Sequence, residues 1–197
     1  MVSDLIFELK DYADLNNVPI IQDESLGYIK QYIVENNVKT ILEIGTAIGY
    51  SAIMMALINP AITITSIERD EKRYLEAVKN IKKANLQDRI TLIYNDALET
   101  KLDEEFDLIF IDAAKGQNIK FFELFSKNLK RNGTIITDNL NFHGLVNTDI
   151  EQIESRNVRG LVRKIRDYIT FLKENKEFET EFLDIGDGLS VSIKREG

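Results

Sequence analysis

Thr40–Ser51, with the sequence TILEIGTAIGYS, decides the fold class. Thr40–Ile44 is a short apolar run closed by glycine, the pattern of a buried strand. Gly45–Gly49 reads as a turn, and Ser51–Ile58 as a helix stopped at Asn59 and Pro60. Working outward, the alternation continues. Ile62–Ile67, Ile90–Tyr94, Phe106–Ile111 and Thr134–Thr137 read as strands rich in β-branched residues. Asp70–Asn85, with Leu75, Val78 and Ile81 on one face, reads as a helix, and so do Phe121–Leu129, ended at Asn132-Gly133, and Val158–Lys173. Strand–helix alternation with buried strands argues a doubly wound, mostly parallel α/β sheet. The last two strands, Glu181–Ile185 and Leu189–Lys194, are joined by about three residues, so they must be antiparallel neighbours. The expected architecture is therefore a seven-stranded sheet with a C-terminal antiparallel hairpin. Two helices precede the first strand, one with Leu5, Ile6, Leu9 and Ala13 at helical spacing and one over Glu24–Asn36. Residues 1–37 are expected to form a lid or an oligomer contact on a single domain spanning 1–197.

Composition narrows the chemistry. The chain of 197 residues has 25 basic and 33 acidic residues, a formal charge of −8, so it is not built as a general polyanion binder. It has no cysteine and one histidine, which removes disulfide frameworks, thiolate zinc sites, cysteine nucleophiles and schemes needing several imidazoles. Asp4, Glu8 and Lys10 break any apolar leader at the start, and no apolar run approaches the ~20 residues of a membrane span. A cytoplasmic protein with no membrane partner is expected.

In a sheet of this kind ligands bind beyond the carboxyl ends of the strands, so the polar residues there carry the function. Four clusters stand out. The first is Glu43–Ser51: Gly45 lets a ligand approach the backbone, and the following helix presents free N–H groups. Its G-x-x-x-G spacing is not the dinucleotide G-x-G-x-x-G, and Glu43 would repel a phosphate while suiting an ammonium. The plain alternative is a strand–helix turn that only needs glycine. The second is Glu68, whose carboxylate can accept from two ribose hydroxyls or merely cap the helix near Asp70. The third, Asn95-Asp96-Ala97, offers a carboxylate to an adenine amino group, although Asn-Asp is also ordinary turn chemistry. The fourth joins Asp112-Ala113-Ala114-Lys115 to Asp138-Asn139. Two carboxylates and a carboxamide at adjacent strand ends make an all-oxygen donor set suited to Mg²⁺ or Ca²⁺; the alternative is a set of loop-start residues with no ion.

Taken together these residues resemble the cation-dependent, S-adenosylmethionine-dependent O-methyltransferase family, the catechol-type class I methyltransferases with a Rossmann-like fold. EIGTAIGYS is similar to that family's first motif, SIERD to its ribose-binding strand end, and IDAAK and TDN to its metal segments. The resemblance runs from about Ile20 to the C-terminal hairpin. It implies that Ile21, Glu43, Gly45, Ser51, Glu68, Asp96, Ala97 and Asp112 bind S-adenosylmethionine, with Ile21 closing over it. It implies that Asp112, Asp138 and Asn139 hold Mg²⁺ or another hard divalent cation. Lys115 and Asp112 become the catalytic pair, Lys115 assisting deprotonation of the acceptor. A homodimer through the N-terminal helices is implied as well. IDAAKGQ, FFEL and TDNLNFHGLV look closest to the bacterial branch that methylates 5-hydroxyuridine in tRNA at the wobble position, giving 5-methoxyuridine. Catechol-like members carry a bulky aromatic where this chain has Ala47.

One feature bears on the acceptor independently. Arg156, Arg159, Arg163, Lys164 and Arg166 place five positive charges in eleven residues, with no acid among them. Arg156, Arg159 and Arg163 recur at three- and four-residue spacing, one helix face that could follow the phosphates of a tRNA or pair with neighbouring acids. The rival acceptor is a small catechol-like phenol. A nicotinamide-dependent oxidoreductase and a nucleotide- or RNA-binding module without turnover are the rivals from other classes. His143 reads as a loop side chain.

Overall fold

A computed structural model describes residues 2–195. It contains helices α1 (Val2–Asn16) and α2 (Asp23–Glu35), then strand β1 (Thr40–Ile44), α3 (Tyr50–Ala56), β2 (Thr63–Glu68), α4 (Glu71–Lys83), β3 (Ile90–Tyr94) and β4 (Phe106–Ile111). These are followed by α5 (Asn118–Phe125), β5 (Leu129–Thr137), α6 (Arg156–Glu174), β6 (Phe178–Leu183) and β7 (Leu189–Lys194). The strands form one sheet in the order β3-β2-β1-β4-β5-β7-β6. The first five run parallel, and β7 lies antiparallel between β5 and β6. This is the doubly wound sheet with a C-terminal hairpin that the alternation predicts. The chain steps outward from β1 through β2 to β3, then returns to the other side of β1 as β4. The carboxyl ends of β1 and β4 therefore flank the switch point, where two connections diverge and leave a crevice.

Burial on both faces explains the near-continuous apolar strands. Ile41, Leu108, Phe110 and Ile136 face a core built with Leu9 and Ala13 of α1, Leu26, Ile29 and Ile33 of α2, and Ile53 of α3. Leu42, Ile44, Ile109 and Ile135 face the opposite core, with Phe121, Phe122 and Phe125 of α5 and Ile165, Tyr168 and Leu172 of α6. The N-terminal helices thus share a core with β1 and β4. Ile29 is fully buried there, and Ile29→Ala would cost about 2–5 kcal/mol through lost transfer energy and a cavity.

Three local readings change. The Asn132-Gly133 signal does not stop a helix; it lies within β5, where Asn132 takes a φ of 60° and the register with β4 shifts between Phe106 and Leu108. A left-handed asparagine bulges a strand as readily as it ends a helix. In α4 the buried residues are Ala77, Asn80 and Ile81, while Leu75 is 53% and Val78 41% exposed. Asn80 can face inward because its amide donates to the Ile48 carbonyl at 2.9 Å. The hairpin strand β6 begins at Phe178, three residues ahead of the expected start. Among the described residues no helix is long and apolar enough to cross a membrane.

Candidate functional site

The crevice at the switch point is a cavity of about 300 Å³, within the size range of small-molecule sites. Ile21, Gly45, Ser51, Glu68, Asp96, Ala97, Asp112, Lys115 and Asn139 all line it. Six separate segments, the α1–α2 connection and the ends of β1 to β5, thus bring their residues to one place. Glu43 and Asp138 do not reach the cavity wall and stand directly behind it. Arg69, Arg73, Gln117 and Phe121 also line the cavity, and none of them is among the expected site residues.

The β1–α3 turn shows why glycine is needed. Gly45 has a φ of 100°, and a Cβ there would fall 2.1 Å from the Asp112 carbonyl oxygen. Backbone meets backbone, so no side chain fits. Ala47, two residues on, is also left-handed, with a φ of 47°. Its N–H donates to Glu68 Oε2 at 2.8 Å, a bond that holds an unfavourable conformation in place. Glu68 Oε1 accepts from the Arg69 and Asp70 N–H groups at 2.9 and 2.8 Å. One carboxylate therefore ties together the two turns on either side of the cavity. A carboxylate has about four acceptor positions, and three are used, so Oε2 retains room for a ligand hydroxyl.

Glu43 is wholly buried and accepts from the hydroxyls of Ser51 and Ser66. Burial pushes its carboxyl up to about 7, opposed by those two hydrogen bonds and reinforced by the charges of Asp112 and Glu68. Ser51 is the member of this group on the cavity wall, so Glu43 acts on a ligand through Ser51. Ser66, itself bonded to Thr46 Oγ1 at 2.6 Å, has no signal in the sequence because it lies inside an apolar strand. Asp96 accepts from the Leu98 N–H at 2.9 Å and pairs with Arg69 at 3.3 Å.

At the other end of the cavity, Asn139 Nδ2 donates to Asp112 Oδ1 at 2.8 Å, and the Asn139 N–H to Asp138 Oδ1 at 2.7 Å. Ser25 of α2 donates to the same Asp138 oxygen at 3.4 Å. Burial raises the carboxyls of both Asp112 and Asp138; Asp112's charge raises Asp138 further, and Lys115's positive charge opposes both shifts. Two buried acids that repel each other, with a carboxamide between them, are relieved by a hard cation whose remaining ligands come from solvent or substrate. The donor set fits such an ion, although the described residues contain no cluster of three or more His, Cys, Asp or Glu with metal-binding geometry. The Lys115 ammonium lies 5.8 Å from the centre of the Phe142 ring.

The basic stretch divides. Arg166 turns inward, donating to the carbonyls of Val146 and Thr148 at 2.9 and 2.6 Å, and so fastens the 145–148 segment. Arg156, Arg159 and Arg163 line a separate open groove with Glu151. Neither they nor Lys164 pairs with a carboxylate among the described residues. Lys164 lies against Gly116, where a Cβ would meet its Cδ at 3.1 Å and its Nζ at 3.3 Å. The cationic face of α6 therefore continues to the residue after Lys115.

Comparison with known proteins places this geometry. A family model described as O-methyltransferase matches residues 6–195. The caffeoyl-CoA O-methyltransferase of Populus kitakamiensis is 28% identical, over 92% of this chain and 80% of that protein. The flavonoid 3′,5′-methyltransferase of Vitis vinifera is 29% identical, over 93% and 81%. Among solved structures, a candidate caffeoyl-CoA O-methyltransferase from Staphylococcus aureus superposes with a TM-score of 0.92 at 45% identity, covering 96% of this chain and 92% of that one. The O-methyltransferase from Bacillus cereus in complex with SAH superposes with a TM-score of 0.83 at 26% identity, covering 98% and 91%.

Proposed function

The chain belongs to the O-methyltransferase family and is an S-adenosylmethionine-dependent O-methyltransferase; on that premise we propose that its acceptor is 5-hydroxyuridine in tRNA, methylated to 5-methoxyuridine with the help of a divalent cation. The observation that carries this reading is the row of cations on α6, Arg156, Arg159, Arg163 and Lys164, which have no carboxylate partner among the described residues and lead to Lys115 on a chain of net charge −8. Unneutralised arginines beside an acidic site suit an acceptor that brings its own phosphates. The 5-hydroxyl and 4-carbonyl of the base are neighbouring oxygens, a pair that a cation at Asp112, Asp138 and Asn139 would hold.

In this reading Glu68 accepts from the cofactor's ribose, Asp96 and Ala97 border its adenine, and Ser51, backed by Glu43, accepts from its ammonium. Gly45 leaves room for its backbone contact, and Ile21 covers it. S-adenosylmethionine supplies the methyl group, and Mg²⁺ the charge that lowers the acceptor hydroxyl's pKa. The chain's own work is to orient and to move a proton. Asp112, between the two halves of the cavity, would hold both partners, so that an acceptor oxygen can displace the sulfur from the methyl group in line. The new O–C bond forms as the C–S bond breaks. Lys115 would serve as the general base for the hydroxyl proton, leaving a methyl ether and S-adenosylhomocysteine.

A second reading is favoured by the relatives' names: a phenol joined to a phosphate-bearing handle such as coenzyme A would use the same two features. Assays with hydroxyuridine-containing tRNA, caffeoyl-CoA and free catechol separate the cases. A clear preference for tRNA over caffeoyl-CoA and free catechol supports the first reading. Preference for caffeoyl-CoA over both others supports the second, and indifference to phosphate overturns both.

A further inference from the structure

The segment after β5 has an unusual backbone. Asn139, Phe142, His143 and Gly144 all have positive φ, at 67°, 47°, 55° and 81°. Three of them are not glycine, and two neighbours are aromatic. Such a conformation persists only if the surroundings hold it. What holds it is the turn between β6 and β7. The Gly188 carbonyl accepts from the Leu140 N–H at 3.0 Å, and the Asp187 carbonyl from the Asn141 N–H at 2.7 Å. Asp187 Oδ1 accepts from the His143 N–H at 2.5 Å. The same turn also presses on the N-terminal region: a Cβ at Gly186 would fall 2.2 Å from Ser25 Oγ, the hydroxyl that reaches Asp138.

Asp187 is 4% exposed, and its Oδ2 is buried with no hydrogen-bond partner among the described residues. Leaving a buried carboxylate oxygen unpartnered is costly, so stability alone gives little reason for an acid here. Its bonded oxygen acts on one residue, His143, through the amide that follows Phe142 and at 3.8 Å from the imidazole Nδ1. We propose that Asp187 is a positioning residue for methyl transfer: by gripping the His143 amide it sets the Asn139–Gly144 loop, and with it the place of Phe142 against Lys115, where the acceptor enters. The inference rests on the reading of the Asp112–Lys115–Asn139 corner as the acceptor site. The cofactor half is on other loops and is not touched by Asp187.

The test uses the full chain with catechol as a small acceptor and Mg²⁺ present. Asp187→Ala should lower kcat/KM for catechol about tenfold or more, the loss expected of one charged hydrogen bond. Calorimetric affinity for S-adenosylmethionine should stay at the parent value. Asp187→Asn, which keeps an oxygen for the His143 amide, should restore most of the acceptor's kcat/KM. Parent-like kcat/KM in the alanine variant overturns the inference, and so does an equal loss of cofactor affinity, which would mark a merely structural role. If the alanine variant does not fold, hydrogen exchange in the unaltered protein decides. Protection of the His143 amide supports the grip, and exchange at the rate of an open loop overturns it. A parent that methylates no acceptor overturns the reading of the corner and this inference together, whereas an active parent with an unaffected alanine variant overturns the inference alone.

Discussion

At the ends of β1 and β2 the acids already have their partners. Glu68 is held by three backbone N–H groups and Glu43 by two serine hydroxyls. At the ends of β4 and β5 the opposite holds: burial raises the carboxyls of Asp112 and Asp138, Asp112's charge raises Asp138 further, and the arginines of α6 have no carboxylate partner among the described residues. On the proposed assignment, the cofactor half is organised in advance. The acceptor half carries unbalanced charge of both signs, negative at the strand ends and positive along the helix. Each sign names what would neutralise it, a cation in one place and phosphates in the other. Binding energy at such a site comes from relief of repulsion as well as from new contacts.

The largest effect should follow from breaking the acceptor half at its acids. Asp138→Ala, or exhaustive chelation of the parent, should lower kcat for methyl transfer about 10³-fold, since a bound cation supplies several kcal/mol of charge stabilisation. Cofactor affinity should hardly move. Full activity of the chelated variant would break the contrast. The carboxyl of Asp138 is raised above its unfolded value, so it stabilises the metal-free protein fully below that value and the contribution is lost as pH rises toward about 7. Added Mg²⁺ should flatten that fall, as thermal melts across pH would show.

In the cofactor half, Glu68→Gln sharpens the contrast. The amide cannot accept at both positions, and a charged hydrogen bond to ribose contributes about 1.5–3 kcal/mol. Cofactor affinity should fall about 10- to 100-fold by calorimetry, with the metal requirement unchanged. Glu43 tests the same half through stability. Its carboxyl is raised from 4.5 to about 7 when folded, so its contribution is present below pH 4.5 and is lost as pH climbs through 7. At about 1.4 kcal/mol for each pH unit the slope amounts to roughly 3 kcal/mol. Glu43→Gln should remove most of that slope in denaturant titrations at pH 4.5 and 8. An unchanged slope would mean that Ser51 and Ser66 fully offset the burial.

The two halves also differ in how far the sequence reveals them. Strand ends bounded by glycine, asparagine or aspartate were readable, because a buried run must stop where polar chemistry begins: Thr40–Ile44, Ile90–Tyr94 and Phe106–Ile111 fall where their patterns place them. Gly45, Glu68, Asp112 and Asn139 follow directly from those ends. Residues that act through another residue leave no such mark. Ser66 is hidden in a strand whose alternation shows only β-propensity, and Asp187 looks like an ordinary turn residue between two glycines. Arg166 looks like its basic neighbours, yet helical phase turns it toward the carbonyls of Val146 and Thr148. Asn80 is buried where a polar residue is expected outside, because its partner, the Ile48 carbonyl, is 32 residues away in sequence. Pairings across that distance are set by topology, which local pattern does not encode.

The smallest effect concerns the positive side of the acceptor half. Arg159→Ala combined with Arg163→Ala removes two cations from an open groove where each is solvated, so neither folding nor cofactor binding should change. Methylation of hydroxyuridine-containing tRNA should drop a few-fold at moderate salt, mainly through KM. The plot of log affinity against log salt should flatten by about 0.7–0.9 for each lost phosphate contact. Free catechol, which has no phosphate, should be methylated by the double variant as by the parent. That difference between acceptors is the sharpest form of the contrast, because one pair of substitutions then separates acceptor from chemistry within a single half of the site. If tRNA methylation follows the parent across the whole salt series, α6 is only a solvated helix face, and the positive charge beside Lys115 has no part in choosing the acceptor.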